Sequence, residues 1–206
     1  MSPVDAVLRR ARSMLARGTV YWAGAGGLDP LSDRSWRVLR VAEAWPRLSP
    51  AEQAAYRPLA AQAGIDVDDP AAVVRACDCT GFLCWSLGIS RKAPRREPWT
   101  QPDGWINTDS IWNDAMHDGA LFRRIDRAAP GCVVVYPKAG SQENYGHDGL
   151  VTEVDGQGVA TRVIHCSAVN FKSAPFDAVK ETAPDAFLHQ QATVYAWFRG
   201  FADGNR

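Results

Sequence analysis

The sequence predicts an α+β fold, with helices in its N-terminal half and an antiparallel sheet in its C-terminal half. Three observations carry this. Capped or amphipathic helical patterns fill most of the first 90 residues, and from Gly131 the periodicity changes to short β-branched runs. Two of those runs flank "DGQG" at 155–158, a hairpin signal. With 206 residues, 46% of them hydrophobic, the chain can build one domain around a real core.

The elements follow in order. "SPVDAVLRRARSML" reads as an amphipathic helix capped by Ser2, with Pro3 in its first turn and Val4, Val7, Leu8, Ala11 and Leu15 on one face. A β-prone segment at 18–30 runs into a glycine-rich turn. Residues 31–75 are expected to form a helical insertion. "SWRVLRVAEAW" and "SPAEQAAYRPLAAQAG" look helical, the second with Ser49, Pro50 and Glu52 as its start, and another helix is expected to start at Asp69-Pro70. Asp78 caps a short apolar helix from Cys79 to Leu87 that Gly88 stops. A basic, proline-rich loop at 90–105 is read as solvated, and a helix is expected from Thr108 to near Gly119. Strands are expected at 131–138, 146–154, 159–167 and 192–201.

Composition excludes some functions. Lys plus Arg and Asp plus Glu number 23 each, so no net field draws the protein to nucleic acid. No apolar run is long enough to span a membrane. Arg9, Arg10 and Arg12 break up any signal-peptide core, so the chain is expected to be cytoplasmic as synthesised, unless another system delivers it to the cell envelope. Five cysteines without an export signal argue against a disulfide scaffold.

Chemistry concentrates at "ACDCTGFLCWSLG" (76–88). Cys79 falls in the first turn of the apolar helix, where the helix dipole favours a thiolate, whereas Cys84 reads as a small core residue. A thiol nucleophile needs a base. Of four histidines, His117 and His189 sit in unremarkable surface contexts, whereas His147 and His165 lie on the two arms of the expected hairpin. With a turn of Asp155–Gln157, Val154 faces Gly158 and His147 falls directly opposite His165, their Cβ atoms roughly 5 Å apart. One imidazole then takes the thiol proton while the other fixes its tautomer.

Several of these segments resemble the NlpC/P60 cysteine peptidases. "DCTGF" (78–82) is similar to that family's DCSGF motif, "GHDGLV" to its HVGIY-type strand and "VIHCS" to its IHAS segment. "TVYWAGAGG" resembles a YxWGG motif and "APGCVVVYPK" a PGDLVFF strand, in the family's order; residues 31–75 have no counterpart. The resemblance implies a papain-like fold without cofactor or metal. It implies hydrolysis of amide bonds in peptidoglycan stem peptides or soluble muropeptides, often between γ-D-glutamate and a diamino acid. By that resemblance Cys79 is the nucleophile, His147 the base and His165 its orienting partner. Tyr21, Asp78 and Thr80 line the substrate site, Asp78 either meeting a free amino terminus or serving only as helix cap. Asp148 and Cys132 depart from the motifs, standing where the family has an apolar residue and an aspartate.

Other readings stand beside this one. Cys77, Cys79, Cys84, His165 and Cys166 offer soft ligands for zinc, though CxC before an apolar helix lacks the paired knuckles such sites use. The chain could also be an inactive binding module of the same fold, or a thiol amidase or acyltransferase on a substrate outside the wall.

Overall fold

The computed structural model describes residues 2–94 and 96–201. It is a mixed α+β structure with two sheets. Helix α1 (Pro3–Arg12) begins as expected, Ser2 and Asp5 forming a reciprocal capping box with Pro3 at its first position. Strand β1 (Thr19–Tyr21) pairs in parallel with β3 (Val73–Cys77), and β2 (Arg37–Arg40) pairs antiparallel with the other edge of β3. Between β2 and β3 lie α2 (Val41–Ala44) and α3 (Pro50–Gln62), the latter closed by a Ser49–Glu52 capping box.

The insertion is therefore only partly helical. "RVLR" is a strand, and Asp69-Pro70 opens no helix. The Asp69 side chain accepts from the N–H of Ala71 and its carbonyl from that of Ala72, closing a turn that releases Val73 and Val74 into β3. β3 leads through Asp78 into α4 (Cys79–Ser86), all eight of whose residues are buried. Phe82, Leu83 and Trp85 anchor the main core between α1, α4 and the larger sheet.

After α5 (Thr108–Met116) come β4 (Phe122–Ile125), β5 (Val133–Tyr136), β6 (His147–Val154), β7 (Ala160–Cys166), β8 (Val179–Thr182), α6 (Asp185–Leu188) and β9 (Val194–Phe198). Their order across the six-stranded sheet is β4-β9-β5-β6-β7-β8, every pairing antiparallel. Asp177 joins the two sheets, accepting from the N–H groups of Gly18 (2.9 Å), Thr19 (3.3 Å) and Val179 (2.9 Å). No helix among the described residues is long and apolar enough to cross a membrane.

The β6–β7 hairpin forms, but in a different register. Leu150 faces Ile164, Val151 faces Val163 and, past a bulge, Val154 faces Ala160. The connection is the longer Asp155–Val159 loop, held by the Asp155 N–H to Val159 carbonyl bond of 2.9 Å. Continuing this register puts His165 opposite Gly149, two positions from His147. An even displacement keeps both histidines on one face. They are diagonal neighbours rather than direct partners.

Candidate active site

The nucleophile candidate is placed by a tightly wrapped turn. Residues 22–27 leave β1 and cross the start of α4, with the Asp78 N–H donating to the Ala25 carbonyl at 3.1 Å. A Cβ on Gly81 would lie 2.4 Å from the Ala25 oxygen, and one on Gly27 2.4 Å from the Gly81 oxygen. Glycine at both positions is what lets loop and helix touch backbone to backbone. Asp78 fastens the arrangement. One carboxylate oxygen accepts from the Gly81 N–H (2.8 Å) and the Arg91 guanidinium (2.5 Å), the other from the Gly24 N–H (2.7 Å). Arg91 also donates to Ala25 and lies over the Trp105 ring, 4.7 Å from its centroid.

These contacts correct one expectation, about the basic loop, and bear out the helix-cap reading of Asp78. Arg91, the first basic residue of the loop expected to be solvated, is buried and forms an ion pair; Arg95 of that loop lies outside the described residues. Asp78 is 3% exposed with both oxygens engaged, a helix cap and buried ion-pair partner rather than a carboxylate turned outward. Thr80 is buried too, its hydroxyl donating to Asp148 at 2.6 Å. The Tyr21 hydroxyl lies 3.9 Å from Cys79 Sγ.

The two histidines meet. His147 Nε2 is 2.6 Å from His165 Nδ1, and His165 Nε2 is 3.0 Å from Thr182 Oγ1. A Cβ at residue 149 would come within 3.0 Å of His165 Cβ, so the bare Gly149 is what lets His165 lean diagonally onto His147. Phe187 stacks on the His147 ring at 5.0 Å and 16°.

The direction of the chain of bonds follows from its far end. Thr182 gives its single hydroxyl proton to the Ala183 carbonyl (2.7 Å), and the Asn170 amide, 3.5 Å from His165 Nε2, gives its two protons to the Ala178 and His165 carbonyls (3.0 and 3.3 Å), so Thr182 accepts from His165 Nε2–H. His165 Nδ1 is then an acceptor, and His147 Nε2–H donates to it. What remains on His147 is an unprotonated Nδ1. The two halves of the site adjoin, since β6 and β7 both pack against α4 and Cys166 Sγ donates to the Cys77 carbonyl at 3.5 Å. Among the described residues Sγ has hydrogen-bonding contact with Tyr21 and Thr80 and with no imidazole.

Burial governs the charges. It pushes the Cys79 thiol well above its ordinary range, and the carboxylates of Asp148 and Asp78 add to that. A helix N-terminus contributes about 0.3–1 kcal/mol and does not reverse it, so the thiolate expected from the helix dipole is not the resting form. Burial lowers His147 well below the usual imidazole value, helped by His165, and takes His165 down to about 4. The resting site holds a neutral thiol and two neutral imidazoles.

Sequence reasoning missed Arg91, Thr182 and Phe187, each brought in from a segment with no motif. Asp148 was visible as a departure from the motif. Its Oδ1 has no partner among the described residues, and burial raises its carboxyl to about 7. The described residues contain no cluster of three His, Cys, Asp or Glu side chains in metal-binding geometry, which leaves the zinc reading without geometric support. All five cysteines are buried and free. No protein-family model matches the chain, and no curated protein or solved structure matches it either.

Proposed function

We propose that the protein is a cysteine amidase that cleaves peptide-type amide bonds through a thioester on Cys79, with peptidoglycan-derived peptides as the substrates its motifs suggest. The observation that carries the reading is the hydrogen-bonded row Thr182–His165–His147; with Thr182 accepting at its far end, Nδ1 of His147 is left without a proton, on a strand that packs against the helix bearing Cys79. Substrate binding brings the thiol to that nitrogen. The Sγ proton passes to Nδ1 as sulfur attacks the carbonyl carbon, forming a C–S bond and an oxyanion. The free N–H groups of the first turn of α4 and the protonated Tyr21 hydroxyl are the donors at hand for that oxyanion. Collapse breaks the C–N bond, and the imidazolium returns its proton to the leaving amine. Water, deprotonated by the same nitrogen, then releases the carboxylic acid. His165 accepts from Nε2–H throughout and steadies the positive charge.

Purified sacculi, soluble muropeptides and simple peptide amides should be digested side by side, with products weighed by mass spectrometry. Wild type should yield a new amine and a new carboxylate. Cys79→Ala should yield neither, and His147→Asn should lose about 10²–10⁴-fold. His165→Asn should keep measurable activity where His165→Ala loses much more. Full turnover by Cys79→Ala would remove the thioester.

A further inference from the structure

The insertion builds a cavity of about 440 Å³ against the candidate active site. One wall comes from the site itself. Tyr21, which touches Cys79 Sγ, lines it, as do Ala168 and Phe171, just beyond His165. The facing wall comes from the insertion and includes Ala44, Tyr56, Ala60 and Val74. Volumes of 300–1,000 Å³ are usual for ligand clefts.

The chemistry of the lining is one-sided. Among the described residues Glu52 is the only charged one in the lining, and its Oε2 accepts from the Ser49 N–H and hydroxyl, both at 2.7 Å. No cation there would meet a glutamate carboxylate, and a single carboxylate, Glu52, is all that would meet an ammonium. Aliphatic and aromatic walls suit an apolar group instead.

We infer that this cavity is a specificity pocket for an apolar aliphatic or aromatic substituent attached to the amide that Cys79 attacks. It deepens the amidase reading and rests on it for where the amide lies, but not for what the pocket binds. The insertion is thus the part of the chain that selects the substrate, and the preferred substrate joins a hydrocarbon group to the amide rather than being polar throughout.

The test separates binding from chemistry. Full-length Cys79→Ala is titrated with acetamide, butanamide, hexanamide and octanamide, followed by the fluorescence of Trp22 and Trp45, which line the cavity. Affinity should climb by roughly fourfold per added methylene until the pocket is full, the factor expected for burying one CH₂. Ala60→Phe, which fills the cavity, and Val74→Asp, which charges it, should each flatten the series; if Val74→Asp fails to fold, Ala60→Phe decides. A flat series in Cys79→Ala, or a climb unchanged in the folded variants, would overturn the pocket. If the series climbs while wild type hydrolyses none of these amides, the pocket stands and the amidase reading falls.

Discussion

Asp148 shares β6 with His147 but, by strand alternation, faces the other way, beneath α4, where Thr80 is its one hydrogen-bond partner among the described residues. Folding lifts its carboxyl from the ordinary 3.8 to about 7, chiefly through burial. Between about pH 4 and 7 the folded protein thus keeps a proton that the unfolded chain has lost, and stability falls as pH rises through that window. At about 1.4 kcal/mol per unit, the loss is on the order of 4 kcal/mol. Asp148→Asn keeps an acceptor for Thr80 and should flatten that part of a urea-midpoint profile measured from pH 4 to 8. An unchanged slope would mean the carboxylate is solvated in the folded protein. The same variant should let iodoacetamide label Cys79 at lower pH, because Asp148 ranks after burial among the influences holding that thiol protonated.

The start of α4 depends on a residue from another element. The Asp78–Arg91 pair is buried on both sides, and removing one partner of such a pair costs about 3–5 kcal/mol. Arg91→Met should show that loss in urea unfolding, and adding Asp78→Asn should recover part of it; a cost under about 1 kcal/mol would mark the pair as a solvated contact. The contrast shows what was legible beforehand. α1, α3 and α4 announce themselves through Ser2, Ser49 and Asp78, caps whose signals lie within four residues of chain. β2 and β4 are four-residue strands whose partners lie far off in sequence, β8 is a four-residue strand reached from β7 through irregular chain, and β3 carries a helix-like pattern that its pairing with both β1 and β2 overrides. The histidine pair was legible because face alternation survives an even slip, whereas its exact register depended on a connecting loop two residues longer than expected. Arg91 could not be read at all, since a basic residue in a proline-rich loop looks the same whether its carboxylate partner is present or not.

Across the whole molecule, the small sheet that delivers Cys79 and the large sheet that delivers the histidines must keep their relative position. Asp177 is one polar joint between them, beside the Ala178 N–H to Thr19 carbonyl bond, and Asp177→Ala would leave three backbone N–H groups without their acceptor. The expected cost is about 2–4 kcal/mol. Amide exchange at Gly18 and Thr19 should speed up more than at Val133–Val135 in the middle of the large sheet, and uniform acceleration would show that the joint has no local role. The α+β class was readable from the order of patterns, but the division into two sheets was not, because a three-residue β1 carries too little pattern to declare a sheet of its own. The way the fold encloses Cys79 also sets its redox character. Accessible thiolates attack peroxide and disulfides, and Cys79 is 5% exposed with its thiol kept protonated by its surroundings. On the amidase reading, this thiol stays intact under oxidising conditions in the free protein and becomes reactive only with substrate.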